Sequence, residues 1–248
     1  MRRTTLLMQV IAVGLMFGFG ADRVDAKGKR YEEANVEDGG TIVGVVRFEG
    51  KVPARKTLKV TTEEEPCHRG PILSEELVVS DEKGVQWAVA SIKGIKRGKP
   101  FPAEDSGQPI QLDQKGCRFI PHVLLAPQRR TFKILNSDGI LHNVHAHAKK
   151  NAGFNKAQPP KVKELDVSFK RPEKVRISCD VHAWMGAWIV VTEHPYYAVS
   201  GSDGTFRFED VPAGTHLVEI WHETLGKQTQ EVTVSPGAET EVEFVLKK

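Results

Sequence analysis

The chain has 248 residues, 40% of them hydrophobic and 27% charged, with a formal net charge of +3. This length can bury a sizeable core in one large domain or two modest ones, and the near-neutral charge excludes a dedicated nucleic-acid binder. Three cysteines are too few for a disulfide scaffold, and the odd number requires an explanation.

At the N-terminus, Arg2 and Arg3 precede an apolar run from Leu6 to Gly20, and Val24-Asp25-Ala26 follows as a small-x-small site. This three-part layout predicts a secretory signal peptide over 1–26, cleaved after Ala26, because the run is short for a stable membrane span. No other stretch is apolar enough to cross a bilayer. The expectation is an exported, periplasmic protein with no stable membrane insertion after signal cleavage.

Residues 27–40 read as a flexible polar tail. Beyond them, period-two alternation dominates and helical periodicity is scarce. Ile42, Val46 and Phe48 share one strand face, and Phe132 and Ile134 lead into the turn cluster Asn136-Ser137-Asp138-Gly139. Leu165, Val167 and Phe169 alternate with polar neighbours. Val175 and Ile177 share parity with Cys179, and Trp188 to Thr192 reads as the next strand. Short strands separated by turn signals predict an all-β sandwich over 41–192. A boundary falls near Glu193-His194-Pro195. After it, Asp203-Gly204 reads as a hairpin turn, and Val242, Phe244 and Leu246 form a last alternating strand. Residues 195–248 thus read as a second, small β module.

The chemistry concentrates in Cys179-Asp180-Val181-His182-Ala183-Trp184-Met185, with His142 upstream at the start of a predicted strand. Two imidazoles and a thiolate with a weak thioether suit a mononuclear copper electron-transfer site. Soft sulfur favours Cu(I), imidazole accepts both oxidation states, and a rigid loop limits rearrangement when an electron passes. If Cys179 is a thiolate ligand, Cys67 and Cys117 remain as an even pair. An oxidising compartment favours a disulfide between them; the competing reading is a second metal site using Cys67-His68, or Cys117 with His122. His145 and His147 have the opposite strand parity to His142 and should face away from it, as solvated residues or an accessory surface metal site. His194, His216 and His222 lack a thiol partner and read as structural.

The Cys-x2-His-x2-Met run and Leu141-His142-Asn143-Val144-His145 resemble the cupredoxins, the type 1 blue copper proteins of the amicyanin and plastocyanin kind. The resemblance covers roughly 117–192 well and 41–116 loosely. It implies a Greek-key sandwich holding one type 1 copper ion, with His142, Cys179 and His182 as equatorial ligands and Met185 as the axial ligand. It further implies that Asn143 bonds across to the cysteine loop, and that electrons leave through the exposed edge of His182. Val199-Ser200-Gly201-Ser202-Asp203-Gly204-Thr205-Phe206 with Val211-Pro212-Ala213-Gly214 resembles the carboxypeptidase regulatory-like, transthyretin-like modules. Those normally have more strands than 195–248 supplies. The strands near 41–48 and 86–93 could complete that module, making the copper domain an insertion, but they are assigned here to the copper sandwich.

No nucleophile elbow, phosphate loop or zinc-protease helix occurs, so the chain is not read as an enzyme. The expected role is single-electron transport by Cu(I)/Cu(II) cycling with protein redox partners. The alternatives are copper delivery or buffering, and a non-redox scaffold. Trp184 serves either an apolar docking patch or packing between the two modules. The basic stretch 149–176 either steers a partner or is an ordinary solvated face.

Overall fold

The computed structural model describes residues 30–62, 65–103 and 109–248. The expected signal peptide, 1–26, lies outside the described residues. No helix among the described residues is long and apolar enough to cross a membrane. Among the described residues the fold is all-β, interrupted by one turn of 3₁₀ helix at Glu65–His68. The described part of the expected tail is docked rather than free. Glu32–Glu33 pairs in parallel with Arg97–Gly98, and the Tyr31 hydroxyl donates to the Lys99 carbonyl at 2.6 Å.

The alternating strands build two sandwiches. In the first, a five-stranded sheet runs in the order Phe154–Gln158, His142–His147, Glu173–Ser178, Gly186–Thr192, Val123–Pro127. It faces a four-stranded sheet of Glu164–Val167, Phe132–Asn136, Gln111–Gln114 and Phe119–Ile120. Ile134, Leu112, Phe119 and Val167 from the smaller sheet meet Val144, Ile177, Ala187 and Ile189 from the larger one in a single core.

The second sandwich corrects the assignment of 41–192 to a single domain. Gly40–Phe48 is the middle strand of a three-stranded sheet, between Thr205–Val211 and Glu239–Leu246. Val89–Lys93 lies between Tyr197–Val199 and Gly214–His222, with Gly226–Val234 beyond. Without Gly40–Phe48, the strands Thr205–Val211 and Glu239–Leu246 would lack a ladder between them, so 195–248 cannot close a sandwich alone. The first sandwich is therefore inserted into the second, the host. The Asp203-Gly204 turn is also reassigned. It forms, with Gly204 at φ +84°, but it links strands of opposite host sheets instead of closing a hairpin. In the host core the Phe206 ring lies over its cross-strand partner Gly44, where an added Cβ would come within 2.0 Å of the ring.

The sandwiches stack through their larger sheets. Val89, Tyr197, Val199 and Trp221 of the host meet Val123, Leu125, Trp188 and Val190 of the insert. Gly186–Thr192 is thus buried on both faces, with Trp188 and Val190 toward the host and Ala187, Ile189 and Val191 in the insert's own core. A Cys67–Cys117 disulfide spans 50 residues and ties the preceding segment to the insert. It excludes both cysteines from the alternative metal site, and closing such a loop contributes on the order of 4 kcal/mol in the chain-entropy model.

Two buried histidines set an acid limit on stability. Burial pushes His194 and His222 down to about 4, aided at His194 by Lys93. Both rings use Nδ1 to accept backbone N–H bonds, His194 from Tyr196 and His222 from Thr224. Because each folded-state pKa lies below the unfolded value of about 6.5, the unfolded chain binds more protons between pH 4 and 6.5. Stability should therefore be complete above about pH 6.5 and fall as pH drops toward 4, by on the order of 3 kcal/mol per histidine. Denaturant titrations over this range check it; a flat profile would contradict the assignment.

Candidate metal centre

His142, Cys179 and His182 converge at one end of the inserted sandwich, and one donor atom from each lies within 4.8 Å of the others. His142 opens the strand His142–His147 with its side chain on the core face. Cys179 follows the neighbouring strand Glu173–Ser178, and His182 lies in the loop before Gly186–Thr192. The relative exposures are 0% for His142, 2% for Cys179 and 1% for His182, so the centre is closed to solvent.

His142 Nδ1 and His182 Nδ1 are 3.0 Å apart, and Cys179 Sγ is 3.9 Å from His182 Nδ1. An ion with bonds of about 2.0 Å to imidazole and about 2.3 Å to thiolate sets its donors about 3 to 4 Å apart. The spacing and the donor set both suit such an ion. Met185 is buried in the same core, and its N–H donates to the His182 carbonyl at 2.9 Å, tightening the loop.

Hydrogen bonds hold Cys179 and the segments around it. Burial alone raises the Cys179 pKa, but donors from the His142 ring and from the backbone N–H groups of His182, Asn143 and Val181 outweigh it, so the thiol is more acidic than usual. Asn143 Oδ1 accepts the Asp180 N–H at 3.0 Å, the cross-loop bond that the sequence resemblance implied. Asn136, buried, donates to the carbonyls of Ile140 and Gln158 and braces the turn ahead of His142.

Sequence reading missed Asp138. Its carboxylate accepts from His142 Nε2 at 2.8 Å, Gly116 N–H at 2.6 Å and Cys117 N–H at 2.9 Å. Burial favours its neutral form, but these three donors prevail and keep it ionised below the usual range. The same carboxylate, with Cys179, raises His142 to about 9 against the opposing effect of burial. Asp138 looked like a turn residue because it lies in an Asp-Gly pair. The available signal was its spacing, four residues ahead of His142 with Gly139 at φ +71° turning the chain back.

The implied exposed edge of His182 is not found. The Trp184 ring lies 5.0 Å from the His182 ring, and Trp184 Nε1 donates to the Cys117 carbonyl at 3.1 Å. Trp184 thus covers the centre, whereas Trp188 packs between the sandwiches against Trp221 and donates to Glu223. Leu141 and Val181, each one residue ahead of a histidine ligand candidate, are 41% and 45% exposed and form the apolar surface nearby. In the basic stretch, Lys174 reaches Glu219 of the host at 3.5 Å and is not part of an open basic face.

Residues 183–247 match the family model of the carboxypeptidase regulatory-like domain. The match includes Gly186–Thr192, a strand of the inserted sandwich. No curated protein sequence matches the chain. Among solved structures, an oxidised amicyanin mutant is 18% identical over 47% of this chain and 99% of its own, with a TM-score of 0.31. A purple cupredoxin from Nitrosopumilus maritimus is 17% identical over 33% of this chain and 98% of its own, with a TM-score of 0.29. A copper-containing nitrite reductase from Thermus scotoductus SA-01 is 19% identical over 38% of this chain, with a TM-score of 0.32; the match spans 25% of the reductase.

Proposed function

We propose that the chain is an exported copper protein that carries single electrons in the periplasm, with no bond-making chemistry of its own. One observation carries this reading: two imidazole nitrogens and one cysteine sulfur meet at metal-ligand spacing in a solvent-closed site. His142, Cys179 and His182 would hold the ion, with Met185 as a weak thioether ligand from the same loop. When bound, copper supplies a one-electron Cu(II)/Cu(I) couple. The protein's contribution is rigidity and selection. Cys179 provides a soft, acidified sulfur, Asp138 fixes the His142 ring, and Asn143 pins the loop. Trp184 keeps water from the His182 side.

The closed site favours a carrier over a delivery protein, since release would require the loop 179–185 to open. Redox partners would dock on the small apolar surface of Leu141 and Val181, where a limited contact permits rapid exchange.

Titrating purified protein with Cu(II) should produce an intense visible thiolate-to-copper band that saturates at one equivalent, followed by a reversible one-electron wave in voltammetry. A colourless Cu(II) complex refutes the type 1 assignment. A coloured complex that loses the ion on reduction instead supports copper delivery.

A further inference from the structure

We infer that Cys117 is a positioning residue for the buried centre, and that its bond to Cys67 sets how tightly the centre holds an ion. This rests on the metal-centre reading above. Lys115 to Arg118 turn the chain between the paired strands Gln111–Gln114 and Phe119–Ile120, and the Lys115 N–H donates to the Arg118 carbonyl at 3.0 Å. Both central residues have positive φ, +60° at Gly116 and +53° at Cys117. A two-residue hairpin turn of this kind favours glycine or asparagine, and a cysteine Cβ is disfavoured there. The side chain that holds Cys117 in place is its own: it is bonded to Cys67, in the 3₁₀ turn Glu65–His68, and both cysteines are buried.

The turn reaches the centre from two sides. The N–H groups of Gly116 and Cys117 both donate to the Asp138 carboxylate, which holds His142 Nε2 at 2.8 Å. The Cys117 carbonyl accepts the Trp184 Nε1–H at 3.1 Å, and the Trp184 ring covers His182. Cys117 Sγ itself lies within 4.8 Å of an Asp138 oxygen and a His142 nitrogen. One residue thus orients one imidazole through a carboxylate and screens the other through an indole. It does so without being a ligand, since its sulfur is bonded to Cys67. Without the disulfide, residue 117 can relax to negative φ, which turns its N–H and C=O away from Asp138 and Trp184 together.

The test titrates the full chain with Cu(II) sulfate, read by calorimetry and by the visible band, in wild type and two double variants. Cys67→Ser/Cys117→Ser should bind copper about 10- to 100-fold more weakly, as when a group that orients a ligand is disturbed. Cys67→Ser/Cys117→Gly lacks the same disulfide, but glycine adopts positive φ freely, so it should recover most of that loss. A disulfide that only stabilises the fold predicts equal losses in both. Adding Asp138→Asn to the serine variant should weaken binding far less than the same change does in wild type, because both act on one contact. If the serine variant loses its fold by circular dichroism, Cys67→Ser/Cys117→Asn replaces it. Asparagine tolerates positive φ better than serine but less well than glycine, so it should still bind more weakly than the glycine variant. Wild-type affinity in every variant, equal losses in the compared pair, or full additivity with Asp138→Asn overturns the inference while the wild-type band stands. A wild type that takes up no copper overturns the metal-centre reading and this inference with it.

Discussion

The Cys179→Ser protein is expected to lose the intense visible band of the copper-loaded chain completely. The band requires a thiolate whose electrons move to Cu(II) under visible light, and a serine hydroxyl has no comparable transition. Neither remaining cysteine can replace it, because Cys67 and Cys117 are joined to each other. His142 and His182 remain, 3.0 Å apart through their Nδ1 atoms, so Cu(II) is still held, as a pale nitrogen-ligated complex. The reduction potential should also fall, because replacing soft sulfur with hard oxygen removes more from Cu(I) than from Cu(II). Absorption and voltammetry on wild type and variant provide both readings. A serine variant that keeps its colour would falsify the ligand set.

Asp138→Asn should weaken Cu(II) binding by about 10- to 100-fold, the usual effect of removing a carboxylate that orients a histidine ligand. The pH dependence separates this role from simple destabilisation. Without metal, burial pulls His142 down, but Asp138 and Cys179 hold it at about 9. Copper must displace that proton, so wild-type affinity should rise with pH, by at least about tenfold per unit, up to near 9. The asparagine variant starts with a less basic ring, so its profile should level off at lower pH, with the largest gap to wild type near pH 9. A tenfold preferential loss of Cu(II) affinity corresponds to a rise of about 59 mV in potential. An unchanged profile with merely lower stability would show Asp138 to be structural. The same ion pair has a sign of its own in the apoprotein. Because the folded pKa of His142 is raised above about 6.5, the pair stabilises the fold fully below that pH, and the contribution fades as pH rises through 9.

The candidate ligands were legible because metal chemistry restricts residue type and spacing together. Cys179 and His182 are three residues apart on one loop, and strand parity turned His142 inward and His145 outward. Asp138 was not legible, since an Asp-Gly pair between strands has an ordinary explanation as a turn, and its carboxylate acts through a fold that brings Gly116 and Cys117 beside it. The solvent-closed state of His182 was hidden for a similar reason, because Trp184 could have packed elsewhere. Strand existence was plain in Gly40–Phe48, but alternation specifies only which face is apolar. It does not identify the partner, and the partners of that strand lie near residues 205 and 240. Local pattern therefore gave the all-β class and left the nesting of the sandwiches to long-range pairing.

The central position of Gly40–Phe48 in the host sheet dictates an order of assembly during synthesis. The strand precedes the whole insert, yet one of its ladder partners, Glu239–Leu246, follows it. All the strands of the inserted sandwich are complete by Thr192. The residues of the insert's core are therefore all made while both ends of the host are still unpaired. The host strand must wait until the whole insert has been made, with an apolar face in need of cover, which exposes Gly40–Phe48 to mispairing before Glu239–Leu246 arrives.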